Sequence, residues 1–126
     1  MTTSITFELA KLLKEKGFEE RTKSYTEDGK LVTVSLTIRR FNPEKIYYPS
    51  PTITEVVMWL HEKHGIWVVV NPHKGKNNLG EPIMEFDPEV WSFTDECVFH
   101  NTGLLYFNSP TEAYLAAIEY TLNNLI

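Results

Sequence analysis

The sequence predicts an α+β fold: a mainly antiparallel sheet of four or five strands with three helices packed mainly on one face. Three observations carry this. Three segments place apolar residues at helical spacing between capping signals. Several others are β-branched runs, either alternating with polar residues or continuously apolar. No strand–helix–strand alternation is present, so the strands must pair mainly antiparallel. The order reads α-β-β-α-β-β-(β)-α. The 126 residues fit one ordinary domain and not two, so a single domain is expected over 1–126.

The first helix is expected over residues 7–16, where Leu9, Ala10, Leu12 and Leu13 form a stripe. Thr6 is placed to cap it, and Gly17 to end it in the left-handed conformation, letting Phe18 fold back. Asp28-Gly29 reads as a type I′ turn. The strand after it shows Val32, Val34, Leu36 and Ile38 alternating with polar residues, and its partner over 21–26 is polar enough to be an edge. Residues 42–51 form a proline-containing loop. Thr52 to Glu55 has the form of a capping box opening a second helix, which runs to His64 and stops at Gly65. Its buried stripe is Ile53, Val56, Val57, Leu60 and His64, leaving Met58 and Trp59 outside.

Ile66-Trp67-Val68-Val69-Val70 looks like a central strand buried on both faces. Residues 71–80 read as a polar loop, 82–86 as a short strand and 104–107 as another, with 87–101 unassigned. Ser109-Pro110-Thr111-Glu112 is a second capping box, with proline at the first helical position. The helix it opens is apolar over more than one face, as if sandwiched.

A hydrophobic fraction of 42% with 13% aromatics supports a packed core. Twelve Lys and Arg stand against 17 Asp and Glu, a net charge of −5. That balance runs against a domain built to hold a phosphate backbone. The single cysteine, Cys97, points to a reducing compartment. There is no basic leader and no apolar run of membrane-spanning length, so a cytoplasmic location without membrane contact is expected.

The stretches from Thr6 to Phe18, from Pro51 to Ile66, and from Ser109 to the end resemble, together, small uncharacterised proteins encoded by phages, prophages and mobile elements of gut Bacteroidetes. The likeness rests on caps and apolar stripes and spans roughly half the chain. It implies an accessory gene product acting inside a bacterial cell, and it transfers no catalytic residue.

Five candidate readings follow from the residues. His61-Glu62-Lys63-His64 falls one short of the four-residue His spacing of metalloproteases. Even so, His61 and His64 with Cys97 and His100 make a Cys-His₃ ligand set conceivable. The competing reading is a helix-end histidine and a partly buried thiol. Cys97 as a nucleophile is opposed by Asp95 and Glu96, which raise a thiol pKa. Lys74-Gly75-Lys76 could be read as a phosphate-binding loop, but it lacks the Walker pattern and a following helix, and a solvated hairpin or connecting loop is the reading preferred. Lys11, Lys14, Lys16 and Arg39-Arg40 are a basic set for RNA, against the acidic balance. The acidic stretch Glu81, Glu85, Asp87, Glu89, Asp95 and Glu96 could pair carboxylates for acid/base work, but a charge run of this kind reads rather as solvated surface, or as a contact for a basic partner.

The strongest functional signal is apolar. Met58, Trp59 and Trp91 are the candidate interaction residues, because aromatics and Met that a monomer leaves uncovered mark interfaces. The expectation is a non-enzymatic accessory factor that binds a protein partner or itself, with no cofactor and no nucleic acid. The alternatives are a metal-binding protein or metal-dependent enzyme using His61 and His64, and an RNA-binding domain.

Overall fold

The computed structural model describes residues 3–20, 22–32, 46–94 and 96–126. The chain is α+β. Its elements are α1 (Phe7–Glu15), β1 (Lys23–Tyr25), β2 (Leu31–Val32), β3 (Tyr48–Ser50), α2 (Ile53–His64), β4 (Ile66–Lys76), β5 (Pro82–Phe93), β6 (Cys97–His100) and α3 (Pro110–Asn124). The described residues form two three-stranded antiparallel sheets, in the orders β2-β1-β3 and β4-β5-β6, where one larger sheet was expected. They fall into two compact units, Thr2–Thr52 and Ile53–Ile126.

In the first unit Thr6 caps α1 as expected, its hydroxyl accepting from the Leu9 N–H at 3.3 Å. Gly17 (φ +89°) ends the helix, and the Phe18 N–H returns to the Leu13 carbonyl at 3.0 Å, a left-handed cap no side-chain-bearing residue adopts without strain. Leu9, Ala10, Leu13 and Phe18 are buried. β1 is the middle strand and not the edge: Tyr48–Ser50, read from sequence as loop, pairs along its second side. Its polarity misled because Ser24, fully buried, is small enough for a packed centre. Phe7 stands edge-on to Tyr25 and Tyr48, at 5.4 and 5.6 Å between centroids. The β1–β2 turn is not type I′, since Gly29 is in the left-handed region and no non-glycine residue is. It is a three-residue loop closed by Thr26 N–H to Lys30 O at 2.8 Å. Most of the alternating strand after Val32, and Arg39-Arg40, lie outside the described residues.

In the second unit Gly65 (φ +64°) turns α2 directly into β4. β4 and β5 pair over their whole lengths, from Ile66 opposite Ser92 to Lys76 opposite Pro82. The expected loop over 71–80 shrinks to a tight turn: the Asn77 side chain accepts from the N–H groups of Leu79 (2.9 Å) and Glu81 (3.0 Å). Lys74-Gly75-Lys76 is strand, not a phosphate loop. Residues 87–93, unassigned from sequence, continue β5, and of 104–107 only Phe107 makes a bridge, to Phe86.

Two of the three prolines in β4 and β5, Pro72 and Pro88, explain why the ladder's length was hidden. Phe93 N–H donates to Gly65 O at 2.6 Å and Asn77 N–H to Glu81 O at 3.0 Å. Odd-numbered residues of β4 and β5 therefore bond to each other, and even-numbered ones turn their backbone groups away. Pro72 (opposite Phe86) and Pro88 (opposite Val70) are both even-numbered. Neither missing N–H removes a β4–β5 bond.

β4 is an edge strand with one buried face, not a central strand. Ile66, Val68 and Val90 are buried, whereas Val69 is exposed and Trp67 half-exposed. With them in the core are Ile53, Val56, Leu60, Ala113, Ala117, Ile118 and Leu122. Beside this buried stripe Tyr114, Leu115, Ala116 and Tyr120 of α3 are half-buried, so the helix is covered over more than one face, as its breadth suggested. Ser109 caps α3 by accepting from Glu112 N–H at 3.1 Å.

Ile118→Ala should lower the unfolding free energy by about 2–5 kcal/mol, and Leu79→Ala in the exposed turn by no more than about 0.5 kcal/mol. Chemical denaturation with matched m-values checks both. Equal effects would contradict the core described here.

Candidate functional site

Strand parity sorts the β4-β5-β6 sheet into two faces. The even-numbered face supplies Ile66, Val68 and Val90 to the core. The odd-numbered face carries Trp67 and Val69 from β4, Trp91 and Phe93 from β5, and Cys97 and Phe99 from β6. Register places Trp67, Trp91 and Phe99 side by side across three strands, with the Trp91 and Phe99 centroids 4.9 Å apart. This face remains accessible: Val69 is 36%, Phe93 45% and Phe99 50% exposed. Covering the open half of one such phenyl ring is worth about 1 kcal/mol. An apolar groove of about 550 Å³ is lined by Trp67, Val69, Trp91, Phe93 and Cys97, together with Val57, Val68 and Tyr114.

Along β5 the same face turns acidic. Glu89, Asp87 and Glu85 follow Trp91 at alternate positions, opposite Val69, Asn71 and His73. Their spacing is about 7 Å per step, so neighbouring charges repel by about 0.6 kcal/mol even at the dielectric of water. The two regions touch, because the Trp91 indole N–H donates to a Glu89 carboxylate oxygen at 3.2 Å. The Glu85 carboxyl lies over Gly75, where a Cβ would meet it at 2.9 Å. No ion pair engages Glu85, Asp87 or Glu89 among the described residues. His73, opposite Glu85, stacks instead on Tyr106 at 4.5 Å.

Of the three interaction residues expected from sequence, Met58 is 40% exposed and Trp91 sits at the centre of the open face, but Trp59 is 3% exposed and belongs to the core. The buried arc of α2 is wider than the stripe read from spacing, and it takes in Trp59 while leaving His64 half-exposed. Trp67, Val69 and Phe99 were missed. The available signal was the odd-numbered set of 67, 69, 91, 93 and 99, legible only once the β4–β5 register is known.

The candidate metal ligands take separate positions. The His61 ring stacks on Trp67 at 4.2 Å, and His64 stands edge-on to Trp59 at 4.8 Å. His100 Nε2 lies 2.5 Å from Ser92 Oγ on the even-numbered face, and Cys97 is exposed rather than partly buried. No group of three His, Cys, Asp or Glu is arranged to hold a metal among the described residues. No helix of the described residues is long and apolar enough to cross a membrane. Of the basic residues weighed for RNA, Lys14 donates to the Tyr47 carbonyl at 3.0 Å, and Lys11 lies 4.4 Å from the centre of the Phe7 ring.

The chain matches no protein-family model, no curated protein and no solved structure.

Because Cys97 lines the open groove, a maleimide should label the native protein to completion without denaturant. A thiol that reacts only after unfolding would mean the groove is covered.

Proposed function

We propose that this chain is a non-enzymatic, cytoplasmic accessory factor of a phage or mobile element, and that it works by binding another polypeptide through the open face of β4, β5 and β6. One observation supports this most: aromatic side chains from three strands lie side by side on an accessible sheet face around an apolar groove. Buried aromatic anchors in such settings account for most of the energy of protein interfaces. The apolar surface also extends past the groove to Phe99, so it exceeds what a small molecule in the groove would cover. The likeness of the three helix signatures to mobile-element proteins supports the accessory role.

Affinity capture from the native cells, read by mass spectrometry, should retain one polypeptide in stoichiometric amount. Phe99→Asp should release it while leaving the circular dichroism spectrum and melting midpoint unchanged. Identical captures with the wild-type and Phe99→Asp proteins would reject this face as the binding surface.

A further inference from the structure

The open face is not uniformly apolar, and its second half constrains what can lie on it. From the Trp67–Trp91–Phe99 row, β5 continues through Glu89, Asp87 and Glu85, all on the same side of the sheet. The contact between the Trp91 indole and the Glu89 carboxylate joins the two halves without a gap. Among the described residues none of the three carboxylates is neutralised by an ion pair.

We infer that the occupant of this face is a cationic segment of another protein, with apolar residues entering the groove and lysines or arginines at alternate positions lying over Glu89, Asp87 and Glu85. This rests on the polypeptide-binding reading above and specifies its partner. The distance from Phe93 to Glu85 is about 26 Å along the strand, the length of about eight residues of extended chain. An extended segment presents side chains to one side at every second residue, the same period as the carboxylates.

The other occupants fit less well. A nucleic acid could stack on exposed aromatics, but its phosphates would meet the carboxylates, and stacking platforms of that kind sit in basic grooves. A second copy of this chain would bring the same acidic row and a further net charge of −5. Complementary potential across an interface mainly sets specificity and association rate, so salt sensitivity is the property to measure.

The test uses the full chain and two synthetic, tryptophan-free peptides. Each has a Leu-Phe-Leu anchor followed by three charged residues alternating with glycine, lysine in one and glutamate in the other. Binding is followed by the fluorescence of Trp67 and Trp91. The lysine peptide should bind about tenfold tighter than the glutamate peptide at low salt, a gap of about 1.4 kcal/mol. That gap should close at high salt and in the Glu85→Gln, Asp87→Asn, Glu89→Gln protein, whereas Phe99→Asp should weaken both peptides. Equal binding of the two peptides overturns the cationic assignment and leaves the polypeptide-binding reading standing. A dimer that Phe99→Asp dissociates, with neither peptide bound, assigns the face to a second copy and also overturns it. Absence of both peptide binding and dimer rejects both readings.

Discussion

The second unit depends on one register, that which sets Val68 opposite Val90. Side chains on a strand alternate with a period of two, so a one-residue slip would exchange the faces completely. If β4 slipped, Ile66 and Val68 would leave the core and Trp67 and Val69 would have to enter it; if β5 slipped, Trp91 would take the place of Val90. The inward faces of α2 and α3 are lined by small and branched residues such as Val56, Ala113 and Ala117, which match Val68 and Val90 in size and not an indole. Three local features hold the register from both ends and the middle. Gly65 starts β4 one residue after the helix, Asn77 closes the far turn, and Pro72 and Pro88 are tolerable only at non-bonded positions.

From that register the open face follows without any further assumption. Once Ile66, Val68 and Val90 are committed to the core, the odd-numbered residues beside them have no choice of side. Trp67, Trp91 and Phe99 then meet across the strands, and Glu89, Asp87 and Glu85 line up behind them. The aromatic contacts partly compensate for exposure, since rings at 4.9 Å shield one another. His61, stacked on Trp67, extends the same cluster from α2.

The helices were legible in the sequence because their signals are local. Thr6 and Gly17 bracket α1, and Ser109 with Pro110 opens α3, each within a few residues of the element it defines. The sheets were less legible because pairing is not local. β1 reads as an edge by its polarity, yet Ser24 fits a buried centre. The run from Ile66 to Val70 reads as buried on both faces, because its hydropathy does not distinguish a covered side chain from an apolar one left open. Pro72 and Pro88 argued against long strands until their parity was known. The site shares this limitation: Trp91 was found by its composition, Trp67 and Phe99 only by their neighbours, and Trp59 was misplaced because the buried arc of α2 is wider than a stripe.

The two halves of the open face are each unfavourable to the isolated chain, and for different reasons. Exposed phenyl rings and half-exposed indoles leave apolar area in water that burial would stabilise. Three like charges at alternate positions repel one another, and no cation among the described residues offsets them. Neither half is required by the core, since the odd-numbered side chains could be Thr, Ser or Lys without altering Val68, Val90 or the β4–β5 hydrogen bonds. A polar face would also protect better against aggregation. What relieves both costs together is a ligand that is apolar at one end and cationic along the other, and that condition is narrower than hydrophobicity alone would set. The carboxylates thus act chiefly through exclusion, because an acidic or neutral apolar chain could reach the groove but would gain nothing, or lose, along Glu89, Asp87 and Glu85.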